Sequence, residues 1–237
     1  MATPPNPFAL GLKGLRRPTP KRIYRFRRRV KRLRAYLALY AFPAPPPTCS
    51  ALDALFKAAG KLRQLHLIHD QVQQICADLQ KKSKKELRKK EEKFIQSYKG
   101  NRKEAARCVK NWKQKFPPPW TNGGREKAWE RQGKRWLQAK RTQLVSFPET
   151  PDTPHVWHDL RRFLRQWELA GKWVPLSPLP PAELTQALGE TRDLHLLLRW
   201  LQKQGAPPKC QSPVIEAFRR KEEEALRQWQ EWRSSWV

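Results

Sequence analysis

KRIYRFRRRVKRLRAYLALYAF, residues Lys21 to Phe42, decides how the chain is read. Ile23, Phe26, Val30, Leu33 and Leu37 recur at alternating steps of three and four, which places them on one stripe of an α-helix. Tyr24, Arg27, Lys31 and Arg34 repeat that spacing one residue further on and form a cationic stripe beside it, about 15 Å long at the helical rise per residue. From Arg16 to Arg34 there are eleven Lys or Arg and no Asp or Glu, so no neighbour within the helix neutralises the stripe. The counter-charge has to come from another part of the fold or from a ligand.

The rest of the composition sharpens that demand. Fifty Lys and Arg stand against 21 Asp and Glu in 237 residues, a formal charge of +29, which opposes compaction unless a polyanion is bound. Nucleic acid, an anionic membrane surface and a phosphate polymer are the candidate partner classes. The first twenty residues lack the continuous apolar core of a signal peptide. The apolar run from Ala35 to Phe42 ends at Pro43, far short of the ~20 residues of a membrane span. A soluble protein with no membrane partner is expected. Cys49, Cys76, Cys108 and Cys210 are scattered and form no CxxC pair, so the expectation is reduced thiols in a cytoplasmic protein.

Beyond Phe42, PAPPPTCS (43 to 50) breaks the chain, and Thr48 or Ser50 is placed to cap a second helix from Leu52 to about Gln80. Leu55, Leu62, Leu65, Ile68, Val72, Ile75 and Leu79 carry its helical spacing, with Gly60 weakening the middle. Lys81 to Lys115 follows, strongly basic, with a bend or split expected at Gly100 and Asn101. FPPPWTNGG, Phe116 to Gly124, is the strongest boundary signal in the chain. Further helices are expected at 125 to 145, 154 to 173, 181 to 204 and 213 to 235, and no segment alternates with the period of a strand. The fold class is therefore all-α. It divides into a Pro-rich segment, 1–20, a first helical half, 21–120, and a second, 121–237.

The second half repeats the first. In His155 to Ala170, Trp157, Leu160, Leu164 and Trp167 take the apolar stripe, while His158, Arg161 and Arg165 take the cationic one. Gly60-Lys-Leu-Arg63-Gln-Leu65-His66-Leu67 aligns without gaps on Gly189-Glu-Thr-Arg192-Asp-Leu194-His195-Leu196. A repeat of this length suggests two helical bundles related by a pseudo-two-fold axis.

The paired patterns YRFRRRVKRLR (24 to 34) and HDLRRFLRQ (158 to 166), each trailed by a GxxRxLHL-like segment, resemble the conserved histidine α-helical domain, CHAD, over nearly the whole chain from about Lys21. The resemblance implies two bundles around a central basic groove or pore that binds inorganic polyphosphate. Carried over by position, the family's first-helix histidine falls on Tyr24 and on His158. Its following basic positions fall on Arg27, Lys31, Arg32 and Arg34 in the first half and on Arg161 and Arg165 in the second, and Arg28, Arg63, Arg162 and Arg192 are taken with them as candidate polyphosphate-binding residues. Gln166 and Glu168 stand where the family has further cations. The family's Asp after the second-helix Arg is Asp193 here but Gln64 in the first half, and Asp193 is read as holding neighbouring arginines by ion pairing.

A phosphate chain has no base to read, so cation density serves it better than register. Arg forks onto two oxygens and Lys acts as a point charge. His66 with His69, and His155 with His158, have one-turn spacing but lack a third ligand in sequence, and no metal or cofactor is expected. Glu222, Glu223 and Glu224 sit among Arg219, Arg220, Lys221 and Arg227 and read as helix ion pairs. No Gly-rich phosphate loop, nucleophile elbow or Glu-x-Glu-x-Lys repeat occurs, so binding without catalysis is expected. Eleven tryptophans beside so many cations also fit base stacking, which makes RNA or DNA the alternative partner. Trp157, Trp167, Trp229, Trp232 and Trp236, however, keep apolar-stripe spacing and are expected in the core. A polyphosphate binder of this kind is expected in the cytoplasm, with polyphosphate granules as its associated structure.

Overall fold

The computed structural model describes residues 6–119, 126–151, 153–174 and 178–235, and among them no strand occurs. Seven α-helices carry the chain: α1 (Pro20–Ala41), α2 (Ser50–Ile75), α3 (Gln80–Lys115), α4 (Glu126–Val145), α5 (Pro154–Ala170), α6 (Ala182–Lys203) and α7 (Pro208–Ser234). α1 starts where the Thr19 hydroxyl accepts the Arg22 backbone N–H at 3.3 Å, with Pro20 at the first helical position, where a missing N–H costs nothing.

Three helix boundaries differ from the sequence expectation. α2 ends at Ile75, and a short 3-10 turn, Ala77–Leu79, finishes the segment. α3 passes through Gly100 and Asn101 without interruption. The reason is local: the Asn101 side-chain amide donates to the Ser97 carbonyl at 2.9 Å, so its hydrogen bonding stays inside the helix instead of opening it. α7 starts at Pro208, five residues earlier than expected, and carries Pro213 within it. Only one amide is lost at Pro213, close to the helix start, which the helix tolerates better there than in its middle. The boundary at Phe116–Gly124 falls largely outside the described residues, as does Trp236.

The chain forms two compact units that interleave in sequence and do not follow the 21–120 and 121–237 halves: Met1–Arg63, Lys89–Gln143 and Gln166–Leu179 in one, and Gln64–Arg88, Leu144–Arg165 and Pro180–Val237 in the other.

In the first unit, Ile23, Phe26, Val30, Leu33 and Leu37 are all at most 1% exposed, so the whole apolar stripe of α1 is core. At its end, Tyr36 packs against Phe8, Tyr40, Trp129 and Trp173 with ring centroids 5.5 to 5.8 Å apart. The Tyr36 hydroxyl donates toward the carbonyls of Phe116 and Pro117 at 3.1 and 3.2 Å. Burial, and then the neighbouring Tyr40, raise the Tyr36 pKa well above the usual phenol range. Trp129 Nε1 donates to the Trp173 carbonyl at 2.9 Å, and Gln132 Nε2 donates to the carbonyls of Leu39 and Phe42 at the end of α1. Gly133 lets the backbone of α4 pass Val174, whose side chain lies 3.0 Å from where a Cβ would be.

The second unit has its own core. Leu65, Ile68, Val72 and Leu79 pack with Leu197, Trp200, Leu201 and Val214. The Glu86 carboxylate accepts from Trp200 Nε1 at 2.9 Å and Gln204 Nε2 at 3.1 Å. The α6–α7 turn closes through Gly205, φ 65°, a left-handed position that suits glycine, with Ala206 N–H donating to the Leu201 carbonyl at 3.0 Å. Trp157, Trp229 and Trp232 of this unit are buried, as is Trp167 of the first unit, as their spacing predicts.

The cysteines depart from expectation. Cys49 is bonded to Cys108 within the first unit and Cys76 to Cys210 within the second, with Cα atoms 6.4 and 5.6 Å apart, and no cysteine is free. Sequence separations of 59 and 134 residues gave no sign of this, because each pairing is made by tertiary approach of a helix end to another helix. In the chain-entropy description, loops of these lengths are worth about 4 and about 5 kcal/mol of stability respectively. Replacing Cys76 and Cys210 together by Ala should therefore lower the urea midpoint by more than replacing Cys49 and Cys108. Equal midpoints before and after reduction by dithiothreitol would show that neither bond is structural.

Candidate functional site

In the first unit the cationic stripe of α1 lies against α2. Arg27 is held most closely: one guanidinium nitrogen donates to the Phe56 carbonyl at 3.0 Å, and its Cζ lies 4.5 Å from the Phe56 ring centroid. A Cβ on Gly60 would come 2.5 Å from that same guanidinium nitrogen. Gly60 is thus not merely a weak point in α2, as its helix propensity suggests, but the seat in which Arg27 lies. Arg34 stacks on the other side of the same neighbourhood, 4.2 Å from the Phe56 centroid, and pairs with Asp53. Tyr24 is 45% exposed, and the guanidinium groups of Arg28 and Arg63 both lie 5.6 Å from its ring. Cation–aromatic contacts of this kind fix arginines while leaving their outer N–H groups toward solvent. Lys31 and Arg32 are half-buried, and Arg28 is exposed.

The second unit repeats the device. A Cβ on Gly189 would come 3.3 Å from an Arg161 nitrogen, so the arginine of the repeated stripe again rests on the glycine of the GxxR segment. Burial lowers the Arg161 pKa, Asp193 opposes that, and Arg192 and Arg165 lower it further. For Arg192 the order is again burial, the opposing Asp193 and then Arg162. Asp193 therefore sits among these arginines as the expected ion-pairing acid. Arg162 pairs with Asp159 at 3.5 Å, and Asp159 also meets His155 at 3.2 Å.

His158 occupies the centre of this charge. Its Nδ1 is buried and has no hydrogen-bond partner among the described residues. Burial first, then Arg192, Arg162 and Arg161, push its pKa down to about 4, against a smaller opposing pull from Asp159. The imidazole is neutral at neutral pH. His195 is also lowered, by burial and then Arg199.

The structure thus brings Tyr24, Arg28 and Arg63 together, seats Arg27 beside Arg34 on Phe56, sets Asp193 near Arg161 and Arg192, and places His158 among Arg161, Arg162 and Arg192. Phe56 and the two glycines are contributors that charge patterning passes over. The gapless alignment of Gly60 on Gly189 was the available signal, and its meaning required knowing which side chain lies on it. Glu222, Glu223 and Glu224 divide: Glu224 pairs with Lys221 at 2.8 Å, and Lys221 also reaches Glu190 at 2.9 Å. Among the described residues, no three His, Cys, Asp or Glu side chains cluster as a metal site would require. No helix among the described residues is long and apolar enough to cross a membrane. No family model, no curated protein and no solved structure matches the chain.

The depressed His158 pKa has a signed consequence. Between an unfolded histidine's ordinary pKa, about 6.5, and about 4, the unfolded chain takes up a proton that the folded one refuses. Stability associated with this residue is complete above that window and falls as pH drops through it. By histidine NMR, His158 should titrate near 4, and Arg192→Gln should move it upward without restoring the ordinary value, since burial is the larger cause. A wild-type titration near 6.5 would show that the ring is neither buried nor surrounded by cations.

Proposed function

We propose that this protein is a non-catalytic binder of inorganic polyphosphate, of the kind the CHAD resemblance implies. The observation that carries the reading is the doubled seating of a stripe arginine on a helix glycine, Arg27 on Gly60 and Arg161 on Gly189. The Arg27 guanidinium meets the Phe56 carbonyl and ring above Gly60, and the Arg161 guanidinium lies on Gly189. Contacts of this kind hold a guanidinium in a fixed orientation, and its planar fork suits two phosphate oxygens. Tyr24, Arg28, Lys31, Arg32, Arg34 and Arg63 extend the cationic surface in the first unit, and His158, Arg162, Arg165 and Arg192 extend it in the second. The finer architecture of the resemblance, paired bundles about a pseudo-two-fold axis with a central basic groove, belongs to the same proposal.

Two disulfides favour an oxidising compartment, so the cytoplasmic setting and its polyphosphate granules lose the support that reduced thiols would have lent. Nucleic acid is the alternative partner. Tyr24 favours it, as an exposed ring flanked by two guanidinium groups on which a base could stack. The burial of Trp157, Trp167, Trp229 and Trp232 counts against it, since those rings are unavailable for stacking.

Long-chain polyphosphate and single-stranded RNA, titrated in competition at matched phosphate concentration and two salt concentrations, decide between the two. Polyphosphate should displace RNA, with affinity falling as salt rises. Displacement in the opposite direction would install the nucleic-acid reading, and absence of salt-sensitive binding to either polymer would end both.

Gly60→Ala separates site from scaffold. Alanine favours the helix by up to about 1 kcal/mol. Its Cβ, however, displaces the Arg27 guanidinium from the Phe56 carbonyl. Thermal stability should change little while polyphosphate affinity drops about as far as in Arg27→Gln. Unchanged affinity in both variants would remove Arg27 from the site.

A further inference from the structure

We propose that the second unit also holds a small organic anion, an apolar body with one terminal oxyanion, in a cavity bounded by the start of α5, by α6 and by α7. The cavity measures about 640 Å³, within the range that encloses a small molecule of this kind. Its two kinds of wall are what identify the occupant. Trp157, Leu188, Leu196 and Phe218 supply apolar surface, while Arg192, Arg199, His158 and His195 supply cations or N–H donors. Inorganic polyphosphate presents only oxygen to its surroundings and would leave the Trp157, Leu188 and Phe218 surface against charge. An aryl or alkyl carboxylate, sulfonate or phosphate monoester satisfies both walls.

Most other polar groups on the wall are already engaged. The Thr191 hydroxyl donates to the carbonyls of Ala187 and Lys221 at 2.9 and 3.1 Å. The Thr153 hydroxyl accepts the Val156 N–H at the start of α5. His155 pairs with Asp159. His158 lines the cavity as a ring whose buried Nδ1 has no hydrogen-bond partner among the described residues. Among the described residues Glu222 is the acid on this wall and opposes an anion there. Two guanidinium groups against that carboxyl leave the described part of the wall net positive. The ligand class differs from that of the polymer site, and the inference stands whether or not polyphosphate binds.

Three probes test it on the full-length, disulfide-intact protein: 1-anilinonaphthalene-8-sulfonate, its neutral relative N-phenyl-1-naphthylamine, and inorganic phosphate alone. The sulfonate should bind at one site per chain and survive about 0.5 M salt, where exposed surface charge is screened. The neutral probe and phosphate should each bind at least about tenfold more weakly, the value of one charge-assisted hydrogen bond. Arg192→Gln should weaken the sulfonate about tenfold and Glu222→Gln should tighten it about threefold, on the same electrostatic grounds. Leu196→Trp, which fills the cavity, should abolish binding. Should that variant fail to fold, the opposed signs of the two charge variants still decide. Many equivalent salt-sensitive sites, a neutral probe that binds as tightly as the sulfonate, or charge variants without effect would overturn the proposal. Arg27→Gln keeps the two proposals apart: Arg27 is not among the residues lining this cavity, so that variant should weaken polyphosphate and leave the sulfonate unchanged, whereas Arg192 is shared by both sites.

Discussion

The structure depends on holding guanidinium groups in place beside a packed core that partly desolvates them. α1 makes the problem acute, because its apolar and cationic stripes are one residue out of phase: burying Ile23, Phe26 and Val30 brings the stem of Arg27 to the α2 surface. A desolvated cation with no partner would be expensive. Arg27 escapes that cost through the Phe56 carbonyl and ring, and the approach requires the absence of a side chain at Gly60. A helix glycine is ordinarily a loss of up to about 1 kcal/mol against alanine. Here it is retained in the middle of α2 and, at the matching place, in α6, where Arg161 lies on Gly189. The glycine and the arginine form one structural unit.

A chain with a formal charge of +29 must also offset its own repulsion. Ion pairs do little of this at the surface, where pairs such as Arg107 with Glu104 are exposed on both sides. The disulfides act by a different route. Each ties segments of one compact unit, Cys49 to Cys108 and Cys76 to Cys210, and removes conformations from the unfolded chain regardless of salt or ligand. Cross-linking of this kind stabilises a fold without spending its positive charge, whereas adding acids would stabilise it by neutralising its basic surface.

What the sequence made legible was periodic. The five apolar residues of α1 and four of the tryptophans were readable as core because a 3.6-residue period maps directly onto one face. Composition and the lack of alternation gave the all-helical class for the same reason. Features that depend on one side chain meeting another were not legible. Asn101 reads as a helix breaker until its amide is seen to bond back to Ser97, and Pro213 reads as a helix start although α7 begins five residues before it. The cysteine pairs are set by tertiary approach alone. Gly60 and Gly189 were visible as a repeat, but a repeat does not say which atom occupies the space that a glycine leaves.

The two GxxR segments differ at one aligned position, Asp193 against Gln64. Asp193 is among the causes that act on both Arg161 and Arg192, and it raises their pKa values against burial and against each other's charge. The first half has Gln64 at the aligned position, a side chain that can hydrogen-bond but not neutralise. An acid placed among arginines stabilises the cluster before a ligand arrives, and it must be outcompeted or accommodated when an anion does. The second unit holds, besides that acid, the low-pKa His158 and an apolar-walled cavity, the two features from which a ligand with carbon as well as charge is proposed.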